Sequence, residues 1–236
     1  MSAPRPIFIA ALPREVASIV KDWRAPPPQR NIHLFERENA IVAYAGMGAD
    51  RARLAVEAAL NLGPASELVS VGFAGSCNPS VEVGQILCPR IVVDTKTGER
   101  FFTDQPHRKE WPADDETTVL VTVPKPAGVQ EKQYLWISYY ASAVDMEAAA
   151  VARIARAREL PFTAIKAISD AHDFALPDLD QFSTSDGQFR EAAFGFHLAL
   201  RPALWKSVAT LANGSKLAAR NLRQAVEAQI EKRKLK

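Results

Sequence analysis

Short apolar runs alternate along the chain with polar segments and with stretches of helical periodicity. The apolar runs predict strands over residues 6–12, 32–37, 40–45, 68–73, 85–93, 117–123 and 162–168. The helical patterns cover residues 13–23, 49–62, 130–139 and 147–160. Because strands and helices alternate, with a few strands in direct succession, the sequence predicts a three-layer α/β/α sandwich around a mixed, mostly parallel central sheet.

Three carboxylates stand where predicted strands end. Glu15 follows the first strand, Glu147 follows a short extended piece at 143–145, and Asp170 ends the strand that begins at residue 162. Ligands of open α/β sheets bind at the carboxyl ends of strands, so these acids from distant parts of the chain are candidates for one cavity. The alternative is that each acid complements a helix dipole or lies solvated in a loop.

Composition favours one soluble globular domain spanning residues 1–236. The 236 residues are 47% hydrophobic and 24% charged, and the formal charge is +2. The small formal charge excludes a protein that binds nucleic acid through the charge of the whole chain. Residues 216–236 nevertheless carry seven basic and two acidic side chains, within a predicted helix over about 213–236. That helix either packs on the body with a solvated basic face or makes peripheral contact with an anionic membrane.

Cysteine, histidine and the N-terminal segment carry little chemistry. Cys77 and Cys88 are expected to be free thiols in a reducing compartment. The four histidines lack metal-ligand spacing, so no metal site is expected. Because residues 1–6 lack the features of a secretory signal, the expected location is the cytoplasm.

Four segments in order along the chain resemble the nucleoside phosphorylase and nucleosidase family, which includes methylthioadenosine/S-adenosylhomocysteine nucleosidase. They are Ile-Ala-Ala-Leu-Pro-Arg-Glu-Val at 9–16, Val-Gly-Phe-Ala-Gly at 71–75, Ala-Val-Asp-Met-Glu-Ala at 143–148 and Ala-Ile-Ser-Asp at 167–170. Residues 93–100, 130–132 and 199–205 are similar to a narrower branch, the hopanoid-associated phosphorylases, which implies as an alternative a phosphorylase that acts on an adenosyl lipid. The resemblance implies cleavage of the N-ribosyl bond of an adenosine-type purine nucleoside, without a cofactor, by a homo-oligomer that is expected to be a dimer.

The resemblance also implies roles for individual side chains. Asp170 is matched to the acid that protonates the departing base, with the Ser169 hydroxyl orienting it. Glu147 is matched to the carboxylate that grips the ribose hydroxyls, with Met146 packing on the sugar. Glu15 is matched to the base that takes a proton from water.

The nucleophile and the base pocket are the open questions. Phosphorylases of this family carry an Arg and a Ser around the glycine loop that matches residues 70–73, and neither stands in place here, so water is favoured over inorganic phosphate as co-substrate. The matched segment at 71–75 also implies Phe73, Ala74 and Gly75 as substrate-binding residues. An alternative anion site is the Gly-Met-Gly loop at 46–48 with the two arginines that follow it, which is otherwise a simple turn.

Aromatic residues of the helix at 130–139 and just beyond it either stack on a base or form a core face, and the spacing favours the core. They are Tyr134, Trp136, Tyr139 and Tyr140. The chain has a shorter segment before Glu147 than the nucleosidases it resembles. An alternative function is therefore a nucleoside-binding protein of the same fold with weakened catalysis.

Overall fold

The computed structural model describes residues 3–104, 118–175 and 205–232, with side chains of the last helix described from residue 209 to 231. The strands are β1 (Arg5–Ala10), β2 (His33–Arg37), β3 (Ala40–Tyr44), β4 (Ala65–Ser76), β5 (Ile86–Leu87), β6 (Ile91–Asp94), β7 (Arg100–Phe102), β8 (Val119–Thr122), β9 (Ala141–Asp145) and β10 (Phe162–Asp170). The helices are α1 (Pro13–Val16), α2 (Ala49–Leu60), α3 (Val129–Tyr139), α4 (Ala148–Ala157) and α5 (Trp205–Lys232).

These strands form one mixed sheet in which β4 is the central element. β4 pairs in parallel with β1 and β10 and, at its far end, antiparallel with β9. Beyond β9 the sheet continues through β8, β6 and β7, and beyond β1 through β3 and β2. The pairs β1–β3, β6–β8 and β8–β9 are parallel, so most of the long pairings agree with the predicted sheet.

Helices cover both faces of the sheet. On one face α2 and α4 pack together and present small residues, such as Ala55 and Ala152, to the strands. On the other face α1 and α5 pack against β4 and β10, and Val16 and Leu222 are fully buried there. The three-layer α/β/α sandwich predicted from the sequence is confirmed.

Several predicted boundaries were wrong. The helix predicted over 13–23 ends at Val16, because the β-branched Val16, Ile19 and Val20 disfavour helix and the chain continues in turns. The strand predicted over 85–93 is two strands, since Pro89 has no N–H for a ladder. The short edge strand β7 was missed, and α5 begins at Trp205 instead of about 213.

Helix α5 carries the predicted apolar stripe and buries it on the body of the protein. Its members at four-residue spacing are all buried: Ala218, Leu222, Val226 and Ile230. Lys216, Arg220 and Arg223 face solvent on the outer side. The interpretation of a solvated basic helix packed on the body is therefore confirmed for residues 209–231, while residues 233–236 lie outside the described part of the chain. None of the described helices is long and apolar enough to cross a membrane.

Candidate active site

A single cleft at the carboxyl ends of β1, β4 and β10 gathers the catalytic and substrate-binding residues that the family resemblance implied. The cleft and its open mouth together hold about 780 Å³ of space free of protein atoms. The nominated residues that line it are Glu15, Phe73, Ala74, Gly75, Met146, Glu147, Ser169 and Asp170. The three acids that stand far apart in the sequence therefore face one cavity.

Glu15 is held by three backbone N–H groups. Its Oε2 accepts from Ala11 and Leu12, both at 2.8 Å, and its Oε1 accepts from Phe73 at 2.9 Å. The side chain is buried, so these charge-assisted bonds replace the water that a carboxylate would otherwise need. Helix α1 is only one turn long, and its main effect is to direct Glu15 back onto the loop that follows β1.

Gly72 makes room for this carboxylate. Its φ is +139°, and a Cβ atom there would lie 2.8 Å from Glu15 Oε1. Both the backbone conformation and the close approach require glycine. Gly72 of the segment at 71–75 therefore makes room for a catalytic candidate that belongs to helix α1.

Glu147 lies at the start of α4, but it does not cap that helix. Its Oε1 accepts the N–H of Gly48 at 2.7 Å, and its Oε2 lies 3.2 Å from the N–H of Met146. Gly48 belongs to the turn between β3 and α2, so this bond joins two distant parts of the chain. The helix-dipole alternative does not account for a side chain that bonds away from its own helix.

A buried ion pair lies beside Glu147. Lys166 Nζ and Asp145 Oδ2 are 2.8 Å apart, and both side chains are at most 1% exposed. Asp145 also accepts from the Thr122 hydroxyl at 2.7 Å and from the Ala148 N–H at 2.9 Å. Asp145 is thus not a solvated loop acid, because it ends a buried strand and pairs with a lysine in the middle of another.

The charges in this cluster act on one another. Burial raises the pKa of Glu147 to about 7, with the charge of Asp145 adding to the effect and Lys166 and the Gly48 N–H opposing it. Burial alone would lower the pKa of Lys166, but the charges of Asp145 and Glu147 outweigh it and the pKa is raised. Lys166 is therefore a permanent cation under the acidic side of the cleft.

Asp170 accepts hydrogen bonds on both of its oxygens. Ser169 Oγ donates to Oδ1 at 2.6 Å, which is the contact that the sequence expected. Lys132 of α3 forms an ion pair with Oδ2 and also donates to the Ala171 carbonyl at 2.8 Å. Lys132 is 1% exposed and lines the cleft, and sequence reasoning missed it. The segment Gln130-Glu-Lys is similar to the hopanoid-associated branch, but neither that similarity nor its helical pattern indicates that Lys132 is buried against Asp170.

Helix α5 completes the wall of the cleft. Leu211 and Ser215 line it, and between them Gly214 lies directly against the strand that carries Asp170. A Cβ atom on Gly214 would be 2.3 Å from the Ser169 carbonyl oxygen. The contact between helix and strand therefore depends on glycine at this position.

The remaining candidates lie elsewhere or serve other purposes. In the loop at 46–48 and the helix after it, Arg51 donates to the carbonyls of Ala45 and Arg30, and the Gly48 N–H donates to Glu147. His172 is half-buried outside the lining of the cleft, and Asp173 is exposed. Across the described ranges, no cluster of three His, Cys, Asp or Glu side chains could hold a metal ion.

The aromatic residues of α3 and its end do not line the cleft. Tyr134 and Tyr140 are 59% and 75% exposed, whereas Trp136 and Tyr139 are half-buried against the core beneath α3. The preference for a core face over base stacking is therefore right for Trp136 and Tyr139 and wrong for the other two. Met146 packs partly against the same core while it lines the cleft.

Solved structures with the same architecture span nearly the whole chain. Futalosine hydrolase of Helicobacter pylori is 17% identical, with a TM-score of 0.63 and coverage of 95% of this chain and 98% of that chain. 5′-Methylthioadenosine/S-adenosylhomocysteine nucleosidase of the same organism is 17% identical, with a TM-score of 0.65 and coverage of 97% and 100%. The corresponding nucleosidase of Chlamydia trachomatis is 18% identical, with a TM-score of 0.62 and coverage of 98% and 99%. A comparison with curated proteins finds no match.

The fold is thus that of the nucleosidases and nucleoside phosphorylases, enzymes that cleave N-glycosidic bonds. A family model described as the phosphorylase superfamily matches residues 7–121 and 97–200. The chain belongs to the phosphorylase superfamily, and the resemblance seen in its four sequence segments is confirmed.

Proposed function

We propose that this enzyme hydrolyses the N-ribosyl bond of an adenosine-type purine nucleoside. Water attacks C1′ of the ribose, and Glu15 takes its proton. The base departs with the electron pair of the C–N bond and is protonated through Asp170. Glu147 accepts hydrogen bonds from the ribose hydroxyls, and its charge favours the cationic character that the sugar acquires.

Hydrolysis is favoured over phosphorolysis because the backbone N–H groups in the cleft already have an anionic acceptor. Anion sites are commonly built from such groups at loops and helix starts. Here the N–H groups of Ala11, Leu12 and Phe73 all bind the Glu15 carboxylate. A phosphate would have to displace an anion of the protein itself, whereas a neutral water can use the remaining lone pair of Glu15.

The names of the solved structures that this chain resembles also support hydrolysis. One is a futalosine hydrolase and the others are nucleosidases of 5′-methylthioadenosine and S-adenosylhomocysteine. These three compounds, together with adenosine and inosine, are therefore the first nucleosides to test.

The test is release of free base from each nucleoside, with and without inorganic phosphate. We expect base and free sugar at the same rate in both conditions. Release that requires phosphate and yields a sugar 1-phosphate would replace the proposal with phosphorolysis. Tight binding without any product would favour the nucleoside-binding protein with weakened catalysis.

The raised pKa of Glu147 should make kcat/KM decrease on the acidic side of the pH profile. A carboxyl group with a pKa of about 7 loses its charge as the pH falls. Below that value kcat/KM should fall by about tenfold per pH unit, because it follows the ionised fraction of the free enzyme. The profile should be measured between pH 5.5 and 8.5.

Glu147→Gln provides the internal control, since its amide does not titrate. That variant should be weakly active, and its kcat/KM should not decrease below about pH 7. The same decrease in Glu147→Gln would show that another group titrates there.

A homodimer and contact of the basic α5 face with anionic membranes remain predictions. The apolar stripe of α5 is packed on the body, so any membrane contact would use exposed side chains such as Lys216 and Arg220.

A further inference from the structure

Lys132 is a buried cation that the reaction as described above does not use. It lies in the first turn of α3, where the positive end of the helix dipole makes a lysine unfavourable. Its side chain is 1% exposed, and a buried ion pair is often no more stabilising than apolar residues of the same volume. Stability alone is therefore a poor reason for a lysine at this position.

The fold makes specific room for the contact between Lys132 and Asp170. Gly75 lies opposite Asp170 in the pairing of β4 with β10. A Cβ atom on Gly75 would be 2.9 Å from Asp170 Oδ2 and 3.0 Å from Lys132 Cε. The pair thus occupies the space beside a glycine in the wall of the cleft.

The contacts around Asp170 place a proton donor directly against its carboxyl group. Ser169 Oγ bonds to one carboxyl oxygen and also lies 3.3 Å from the Ala74 carbonyl, while Lys132 Nζ bonds to the other carboxyl oxygen. A lysine ammonium carries three N–H donors and has no acceptor. Lys132, which also lines the cleft, is therefore the charged proton donor in contact with Asp170.

We propose that Lys132 is the source of the proton that Asp170 delivers to the departing base. This inference rests on the proposed function. As the bond between C1′ and the base breaks, the electron pair goes to the base. The Lys132 ammonium passes a proton to Asp170 and becomes a neutral amine, and Asp170 passes that proton to a base nitrogen. Glu15 holds the proton of the attacking water, and exchange with solvent returns both groups to their starting states.

The substitution Lys132→Met tests this step with two substrates that differ in their leaving group. One is the best nucleoside of the panel above, whose base needs a proton to leave. The other is 4-nitrophenyl riboside, whose nitrophenolate leaves without one. We expect Lys132→Met to lower kcat on the nucleoside by about 10²-fold or more, which is the usual contribution of general acid catalysis. On the nitrophenyl riboside the loss should be less than about fivefold, since that part of the barrier is absent.

Two further variants separate this role from a structural one. Lys132→Gln keeps a hydrogen-bond donor without a transferable proton, and it should show the same selective loss even where Lys132→Met folds poorly. Lys125→Met removes an exposed lysine from the segment before α3 and should leave both rates unchanged.

The outcomes distinguish this inference from the function on which it rests. Equal losses on the two substrates, or full nucleoside activity in Lys132→Gln, would overturn the role of Lys132 and leave the hydrolase intact. No base release from any nucleoside by the wild-type protein would overturn the hydrolase and the proton relay together.

Discussion

Replacing Asp170 with Asn is expected to lower kcat for base release by about 10²–10⁴-fold, the range that a lost general acid produces. The amide is nearly the same size and can still accept a hydrogen bond from Lys132 through its oxygen. It cannot pass a proton to the base, however, so the base must leave as an anion. The rate should be measured by chromatography of the released base at saturating nucleoside.

The Asp170 experiment has a control three residues away. Asp173 is exposed and outside the cleft, so Asp173→Asn should keep the wild-type rate. Because Asp170→Asn preserves the shape of the cleft, KM should change much less than kcat. Wild-type kcat in Asp170→Asn would show that the base is protonated by another group.

Glu15→Ala is expected to reduce kcat by a similar factor, about 10²–10⁴-fold, because the attacking water loses its base. The truncation also leaves the N–H groups of Ala11, Leu12 and Phe73 around a small empty space. That space is shaped for a carboxylate, so millimolar formate should restore part of the activity. Hydrolysis should be measured at increasing formate concentration.

Stability must be followed in the same variant. Unpairing buried N–H groups costs about 1–3 kcal/mol for each group that water does not reach, so the melting temperature should fall and formate should raise it again. Glu38→Ala in the exposed turn between β2 and β3 is the matched control and should respond to formate in neither assay. Full activity of Glu15→Ala without formate would remove Glu15 from the mechanism.

The sequence carried enough to predict the acidic residues of the cleft but not the cations that balance them. Glu15, Glu147 and Asp170 each follow a strand, and parallel strands bring their carboxyl ends to one edge. Lys132 stands in a polar helical segment, where its periodicity is that of many solvated lysines. Lys166 was detectable in principle, because a lone charge inside the apolar run at 162–168 is costly unless it is paired.

The predicted ends of helices and strands were wrong where the local conformational preference of the residues disagreed with their tertiary contacts. The periodicity after Pro13 allows a helix to residue 23, yet β-branched residues end it within one turn, and this short turn is what directs Glu15 into the cleft. The hairpin at 32–45 was predicted correctly, since β2 and β3 are joined by a tight polar turn whose signals are local.

The close contact between Gly214 of α5 and the Ser169 carbonyl forms only after α5 has been synthesised. The acids and their strands are synthesised well before Leu211 and Ser215, which complete the wall. A nascent chain that already contains Asp170 therefore still has an incomplete substrate cavity. Catalytic competence should appear only after α5 has emerged from the exit tunnel and docked against the strand that carries Asp170.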